Sequence, residues 1–214
     1  MIEQLKQKVH DFFDGESSGH SIDHALRVKN IALKLQKNEG GDVDVIEAAA
    51  LLHDLHRVMG NKNGTYYHPK KSLPQAETIL KEINFPVEKI ESVLKCIELH
   101  EEYGFAEKGK SDSGIEVKII QDADNLDAIG AIGVARVFNY GGAHGIPMWN
   151  QNEEYRKIYI DSRRDESTIH HFYEKLLKIK DDLNTQSAKD LAKQRHEYMV
   201  EYIERFKAEW LGEI

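Results

Sequence analysis

The chain has 214 residues, of which 40% are hydrophobic and 31% are charged, and its formal net charge is −8 at pH 7. This length fits one domain, or one domain with a helical appendage, and the composition is typical of a soluble globular protein. The acidic balance argues against a nucleic-acid partner, because binding a phosphate backbone needs lysines and arginines clustered on one face. A small phosphorylated ligand stays compatible, since a bound divalent cation and a few local bases can invert the charge inside a pocket.

The single cysteine, Cys96, cannot form an intramolecular disulfide and favours a reducing compartment. Its helical surroundings predict a core residue rather than a reactive thiol. No stretch approaches the roughly 18 consecutive apolar residues that span a bilayer. The N-terminus is amphipathic and charged, unlike a signal peptide. We therefore expect a cytoplasmic protein without a membrane partner, as a monomer or homodimer.

Hydrophobic spacing predicts an all-α fold, because nearly every periodic stretch follows the helical repeat and only four prolines occur. Asp42 or Asp44 can cap the helix that ends in His53-Asp54. The last two predicted helices form a long, charged C-terminal pair joined at Asn184-Thr185. Besides the helix that ends in His53-Asp54, the predicted helices are, in chain order, Ile2–Phe13, Ser21–Gln36, Lys71–Ile83, Val87–Glu101, Ile115–Asn139 and the C-terminal pair Glu166–Asn184 and Ser187–Leu211.

Three connections between these helices are predicted to be irregular, because they contain glycine, proline or polar runs. They are Val58–Pro69, which follows His53-Asp54, then Gly104–Gly114 and Gly141–Glu153. Loops that leave the chemistry-bearing ends of helices are where substrate contacts tend to lie.

The pair His53-Asp54 ends an apolar run, Ala48–Leu55, that has the composition of a buried helix. Burying an imidazole and a carboxylate is costly unless a partner binds them. For an isolated pair, a buried hydrogen bond is a sufficient explanation. A metal ion is the alternative, because both residue types are ligands for a divalent cation.

Other blocks of the chain favour the metal. His24 stands in the block Gly19–Val28, and Asp124 stands in Ala123-Asp124-Asn125-Leu126. An isolated His, then His-Asp, then Asp in this context resembles the HD-domain metal-dependent phosphohydrolase superfamily, and most closely its small bacterial branch that includes nucleotide pyrophosphohydrolases. The resemblance covers nearly the whole chain, since four further blocks match that branch: Asp122–Arg136, Tyr140–Gly142, His170–Leu177 and Ala192–His196.

The resemblance implies an HD-domain helical bundle with a metal-binding core at about residues 20–140 and a C-terminal helical part at about 150–214. It implies four metal ligands: His24, His53, Asp54 and Asp124. Two imidazoles and two carboxylates suit a divalent transition metal, and we expect Mn²⁺, with Fe²⁺, Co²⁺, Ni²⁺ or Zn²⁺ as alternatives. The set is too rich in nitrogen to favour Mg²⁺ or Ca²⁺.

Two neighbours of Asp124 offer carboxylates as well. Asp127 lies one helical turn on and shares the face of Asp124. It could orient a ligand, accept a proton from water or contact a sugar hydroxyl, and we count it among the catalytic candidates. Asp122 faces another direction and is expected to cap or to form an ion pair.

A second metal is the less favoured alternative. His68 lies roughly where two-metal relatives carry a further ligand, and His100 ends a helix that the resemblance places beside the metal. With the four ligands above they would make a six-residue dinuclear site. The small pyrophosphohydrolase-like branch that this chain resembles works with one metal, so the resemblance implies one metal here.

Proton transfer and phosphate binding need further residues. Many HD hydrolases carry acidic residues directly after the His-Asp pair, whereas this chain has Leu55-His56-Arg57-Val58. The catalytic candidates besides Asp127 are therefore His100 and Glu101, with His56 also considered as a base. The substrate-binding candidates are His20, Arg57, Lys62 and Lys175. Arg27 is expected to form an ion pair within the bundle, and Arg136, His171 and Arg195 have no role that spacing assigns.

The resemblance thus implies an enzyme that hydrolyses a phosphate ester or anhydride, with cleavage of a nucleoside triphosphate to monophosphate and pyrophosphate as the favoured reaction. A nucleoside monophosphate, another phosphate ester or a phosphodiester is the alternative substrate. A dinuclear iron oxygenase and a non-enzymatic nucleotide-binding module are alternatives of other classes.

Overall fold

The computed structural model describes residues 1–13, 20–63, 67–160 and 166–214, with backbone alone at 61–63. Over these ranges the protein is all-α, which confirms the predicted class. The β-structure within them is one isolated bridge between Ala106 and Tyr159. Short 3₁₀ turns cover Pro69–Ser72 and Leu176–Lys178. The α-helices are α1 Ile2–Phe12, α2 Ile22–Glu39, α3 Val43–Leu52, α4 Leu55–Asn63, α5 Leu73–Glu82, α6 Val87–Leu99, α7 Ile115–Asp127, α8 Gly130–Ala143, α9 Thr168–Glu174, α10 Ile179–Asp182 and α11 Gln186–Leu211.

The centre of the bundle is α3, whose Ala48–Leu52 run is fully buried. Helix α2 packs mainly against α3 and α7, and α6 covers another side of α3. The small alanine side chains let neighbouring helices approach closely, while the leucines fill the space between them. Cys96 on α6 belongs to this core, and burial raises the pKa of its thiol to about 12, so the thiol is neutral near pH 7.

Local capping explains where two helices begin. The Asp42 carboxylate accepts hydrogen bonds from the backbone N–H groups of Asp44 and Val45, at 3.0 and 3.2 Å. Asp42, rather than Asp44, is therefore the cap of α3. The hydroxyl of Thr185 accepts the N–H of Ala188 at 3.3 Å and caps α11 at the predicted junction. No helix in the described residues is long and apolar enough to cross a bilayer.

The predicted helix Ile115–Asn139 is wrong, because the chain turns between α7 and α8. Gly130 has φ +78°, which L side chains rarely adopt, and Ile129 before it is extended. A Cβ on Gly133 would lie 2.2 Å from the carbonyl oxygen of Ala128, so α8 can leave at this angle only with glycine there. Arg195 of α11 donates a hydrogen bond to the carbonyl of Leu126 and closes the turn.

This turn matters for the position of Arg136. Nine residues along a continuous helix span about 13 Å, which is beyond the reach of an arginine side chain back to Asp127. With α8 turned back, Nη1 of Arg136 donates to Oδ2 of Asp127 at 3.0 Å.

Two further boundaries differ from prediction. The predicted helix Glu166–Asn184 is divided into α9, the Leu176–Lys178 turn and α10, because Lys175 leaves helical geometry at φ −127° and ψ −64°. The region Val58–Pro69, predicted to be irregular, is helical as far as Asn63. Val58 is buried there, and tertiary packing of this kind overrides the weak helix propensity of the asparagines and Gly60.

We expect Gly130→Ala to destabilise the fold by about 1–3 kcal/mol, because a left-handed residue with a side chain is strained and the new Cβ would lie 3.0 Å from Cβ and Cγ of Arg195. The measurement is the free energy of unfolding in urea. Gly142→Ala is the matched control: its Cβ would have no atom within 4 Å, so stability should stay level or rise slightly. Equal stability of the two variants would contradict the role given to Gly130.

Candidate metal centre

The four predicted metal ligands come together where helix ends meet. His24 lies in the first turn of α2, His53 and Asp54 form the turn between α3 and α4, and Asp124 lies in the last turn of α7. The Nε2 atom of His24 is 3.1 Å from Nε2 of His53 and 3.3 Å from both Oδ2 of Asp54 and Oδ1 of Asp124. His53 Nε2 is 3.6 and 3.8 Å from the same two oxygens.

These separations fit a shared cation. With metal–ligand bonds of about 2.1 Å, ligand atoms at right angles around one ion are about 3 Å apart, and wider angles give larger separations. Three of the side chains, His24, His53 and Asp54, are essentially buried, so their polar atoms need a partner. The residues present therefore fit a divalent metal ion.

The protonation pattern of the imidazoles also fits a metal. Nδ1 of His24 bonds Oδ2 of Asp127 at 2.7 Å, and Nδ1 of His53 bonds the carbonyl of Ala50 at 2.8 Å. Carboxylate and carbonyl oxygens only accept hydrogen bonds, so both Nδ1 atoms carry the proton. This leaves the Nε2 atoms as the inward-facing ligand atoms.

The electrostatics of the cluster favour positive charge at its centre. Burial lowers the pKa of His24, but hydrogen bonds to Asp124, Asp127 and Asp54 outweigh it and raise the value to about 9. Burial lowers the pKa of His53 to about 4. Although burial opposes ionisation of Asp54 and Asp124, the neighbouring imidazoles hold both carboxyl pKa values below their usual range. Two ionised carboxylates thus face one point.

Asp127 lies behind His24 rather than beside the ligand atoms. Besides its contact with Nδ1 of His24, the Asp127 carboxylate accepts hydrogen bonds from Nε and Nη2 of Arg27, at 2.7 and 3.0 Å. It also accepts one from Nη1 of Arg136. Burial raises the pKa of the Asp127 carboxyl, but its hydrogen bonds to His24 and Arg27 outweigh burial and lower the pKa to about 2. This is the geometry of an outer carboxylate that orients a metal-binding histidine. Arg27 forms the ion pair predicted for it.

A second group of polar side chains adjoins Asp54. Nδ1 of His100 bonds the carbonyl of Ile97 at 2.7 Å, and its Nε2 lies 3.8 Å from Oδ1 of Asp54. That Nε2 is buried and has no hydrogen-bond partner among the described residues. Glu101 forms an ion pair with Arg57, and its Oε2 lies 3.5 Å from Nε2 of His56. Nε of Arg57 is 3.3 Å from Oδ1 of Asp54.

Of the substrate-binding candidates, His20 and Arg57 contact the cluster directly. Nδ1 of His20 lies 2.7 Å from Oδ2 of Asp54, and burial lowers the pKa of His20 to about 3. The ammonium of Lys175 lies over the rings of Tyr103 and Tyr159, 4.4 and 4.8 Å from their centroids. The side chain of Lys62 falls outside the described residues.

Sequence reasoning missed the two tyrosines. Tyr103 is buried, and its pKa is raised well above its usual range by burial and then by the charges of Asp124 and Glu101. Its ring packs edge-on against Tyr159, with the centroids 5.7 Å apart. In the sequence, Tyr103 could have been found from its position two residues after Glu101. Tyr159 could not, because its partner Tyr103 is remote in sequence.

Two other residues, His68 and Asp122, lie apart from the candidate ligand atoms. Nδ1 of His68 caps the turn at Pro69 by accepting the N–H of Lys70, at 3.3 Å. Among the described residues, no group of potential ligand atoms within 4.8 Å of one another includes His68. Asp122 bonds the backbone N–H groups of Asn184 and Thr185, at 2.8 and 2.7 Å. It anchors α7 to the start of α11, in keeping with the structural role predicted for it.

Comparison with known proteins agrees with this geometry. A family model of the HD domain matches residues 21–129. The uncharacterized protein YpgQ of Bacillus subtilis is 33% identical over 213 residues, which cover 98% of this chain and 94% of YpgQ. The fold and the residue cluster thus define a class of protein, and the chain belongs to the HD-domain family.

Solved structures add to the comparison. A crystal structure from Lactobacillus plantarum has a TM-score of 0.85 at 31% identity and covers 99% of this chain and 97% of its own. An HD-superfamily hydrolase of Bacillus thuringiensis has a TM-score of 0.71 at 37% identity, covering 98% and 96%. YpgQ in complex with ADP has a TM-score of 0.71 at 31% identity, covering 98% and 97%.

We expect Asp124→Asn to lose the bound metal, because the substitution removes an anionic ligand. Asp122→Asn should keep the metal but lower stability by about 1–3 kcal/mol, since an amide N–H would then face backbone N–H donors. The measurements are elemental analysis of the purified variants and urea unfolding. Full metal content in Asp124→Asn, or metal loss in Asp122→Asn, would show that the wrong aspartate has been assigned.

Asp127→Asn tests the outer carboxylate. Because the amide cannot hold His24, Arg27 and Arg136 together as the carboxylate does, metal affinity should fall about 10–100-fold. Competition with a metal-binding dye measures the affinity. Unchanged affinity together with a large loss of turnover would assign Asp127 to proton transfer instead.

Proposed function

We propose that this protein is a metal-dependent phosphohydrolase that cleaves nucleoside triphosphates to the monophosphate and pyrophosphate, with Mn²⁺ as its metal. The observation that carries the proposal is that Nε2 of His24 and Nε2 of His53 lie 3.1 Å from each other and 3.3–3.8 Å from carboxylate oxygens of both Asp54 and Asp124. His20, His100 and Arg57 adjoin these atoms at Asp54. A bound divalent ion supplies Lewis-acid polarisation of a phosphoryl oxygen and lowers the pKa of the attacking water.

Charge around the cluster suits a polyphosphate. Its carboxylates are largely offset by nearby guanidinium groups, so a divalent ion leaves the centre with a net positive charge. The carboxylates belong to Asp54, Glu101, Asp124 and Asp127, and the guanidinium groups belong to Arg27, Arg57 and Arg136. Lys175 adds a further positive charge beside the tyrosines.

The residues around the ligands divide into three tasks. Asp127 holds His24, so we assign it to orientation rather than to direct proton transfer. His100 is the candidate for moving a proton, because its Nε2 faces the cluster and has no hydrogen bond among the described residues. Glu101 holds Arg57 beside Asp54: burial raises its pKa, but Arg57 and His56 keep it well below the usual range, so the carboxylate is ionised.

Arg57, His20 and Lys175 are the candidates for binding phosphate. A guanidinium binds phosphate oxygens through two parallel hydrogen bonds, whereas an ammonium acts as a point charge. Tyr159, which is partly exposed beside Lys175, offers an aromatic ring against which a base or a sugar could pack. YpgQ, which matches this chain over nearly its whole length, was crystallised with ADP, and this supports a nucleotide as the ligand here.

We expect purified protein, freed of metal by chelator and reloaded with Mn²⁺, to release pyrophosphate from nucleoside triphosphates. Anion-exchange chromatography of the products identifies the bond that is cleaved. Orthophosphate from monophosphates would support the alternative substrate class. Bound metal without turnover of any nucleotide would contradict the proposal and favour a binding module.

His100→Gln provides the sharper test within the same assay. Removing a proton-transfer group typically costs about 10²–10⁴-fold in rate, and metal content should stay at the wild-type level. His10→Gln, an exposed substitution on α1, is the matched control and should leave turnover unchanged. A loss of less than threefold in His100→Gln would exclude His100 from proton transfer.

A further inference from the structure

A second cluster of metal-ligating side chains lies around α9, and it shares no residue with the metal centre. It consists of Glu153, Glu166 and His170, here termed the α9 cluster, with one potential ligand atom from each residue lying within 4.8 Å of the others. Glu174 and Arg156 adjoin it. Neither the HD match over residues 21–129 nor the proposed reaction accounts for this cluster.

His170 is the unusual member. It is fully buried, and neither of its ring nitrogens has a hydrogen-bond partner among the described residues. Its Nδ1 lies 3.7 Å from Oε2 of Glu153, and its Nε2 lies 3.4 Å from Oε2 of Glu174. The first distance is too long for a hydrogen bond, but it suits two ligands of one cation, whose separation is about 3–4 Å for bonds near 2.1 Å.

Hydrogen bonds around Glu153 leave one of its oxygens aimed at His170. The hydroxyl of Ser167 donates to Oε1 of Glu153 at 2.6 Å and accepts the backbone N–H of His170 at 3.0 Å. These two bonds fix the carboxylate and the start of α9 relative to each other. Oε2 of Glu153 is buried and has no hydrogen-bond partner among the described residues.

The charge of Glu174 is already compensated. Nε of Arg156 donates to Oε1 of Glu174 at 2.9 Å, and its Nη2 donates to Oε2 at 2.5 Å. In the part of the chain that the structure describes, no equivalent arginine or lysine pairs with the carboxylates of Glu153 and Glu166. One divalent ion would neutralise both of them.

We propose that the α9 cluster is a second, separate site for a divalent transition-metal ion of the Zn²⁺ class. Nδ1 of His170 and one carboxylate oxygen each from Glu153 and Glu166 are its ligands, and water completes the shell on the exposed side of Glu166. Nε2–H of His170 then faces Glu174, which orients the ring as an outer carboxylate does. The ion would tie the segment of Glu153 to α9, a structural role independent of phosphate hydrolysis.

Zinc stoichiometry in the full-length protein tests this site. After dialysis against buffered Zn²⁺, elemental analysis should find one equivalent fewer in Glu153→Gln and in His170→Asn than in the wild type. Glu166 is exposed, so Glu166→Gln leaves the core intact. In a zinc titration it should lower the affinity for the same zinc ion at least tenfold. Mn²⁺-dependent turnover should stay within twofold of wild type in Glu153→Gln and Glu166→Gln.

Two controls separate this site from the metal centre. Glu154→Gln changes an exposed neighbouring carboxylate and should keep the full zinc content. Asp124→Asn should lose the zinc ion of the metal centre instead. The double variant Asp124→Asn/Glu153→Gln should therefore lose two equivalents of zinc. If Glu153→Gln and Glu166→Gln both bind as much zinc as the wild type, the proposal is overturned. His170 is then a buried histidine that packs between Glu153 and Glu174 without a metal ion.

Discussion

The buried contact between His24 and Asp127 is the interaction on which the rest of the site depends. It joins the first turn of α2 to the end of α7, and Arg136 brings α8 to the same carboxylate. A buried carboxylate is tolerated only when its charge and lone pairs are matched, and removing one partner leaves an uncompensated charge. The contact that holds these three helices therefore also turns Nε2 of His24 toward His53, Asp54 and Asp124, the other candidate metal ligands.

The turn between α7 and α8 makes that arrangement possible. Without the left-handed backbone at Gly130 and the close approach at Gly133, Arg136 would continue along α7 and could not reach back to Asp127. Arg195 stabilises the turn from α11. Gly130, Gly133 and Arg195 thus set the position of Arg136, which together with His24 and Arg27 contacts Asp127.

The ion pair of Arg57 with Glu101 shows how this chain departs from many HD hydrolases. No carboxylate follows directly after His53-Asp54, but Glu101 from the end of α6 approaches the same turn and meets Arg57 and His56. A carboxylate thus lies beside Asp54 although it comes from another helix. The turn at Asp54 therefore has both a carboxylate and a guanidinium beside it.

The sequence by itself determined the all-α class, a cap at Asp42 or Asp44 and the resemblance that implies the four metal ligands, because helical periodicity, capping residues and short motifs are local signals. It also separated Asp122 from Asp124, since residues two apart point to different sides of a helix. Tertiary structure alone decided the α7–α8 turn, the contact of Asp127 with His24, the pairing of Arg57 with Glu101 and the approach of Glu153 to His170. Each of these depends on residues distant in the chain, whose separation in space is set by how the helices pack and has no local sequence pattern.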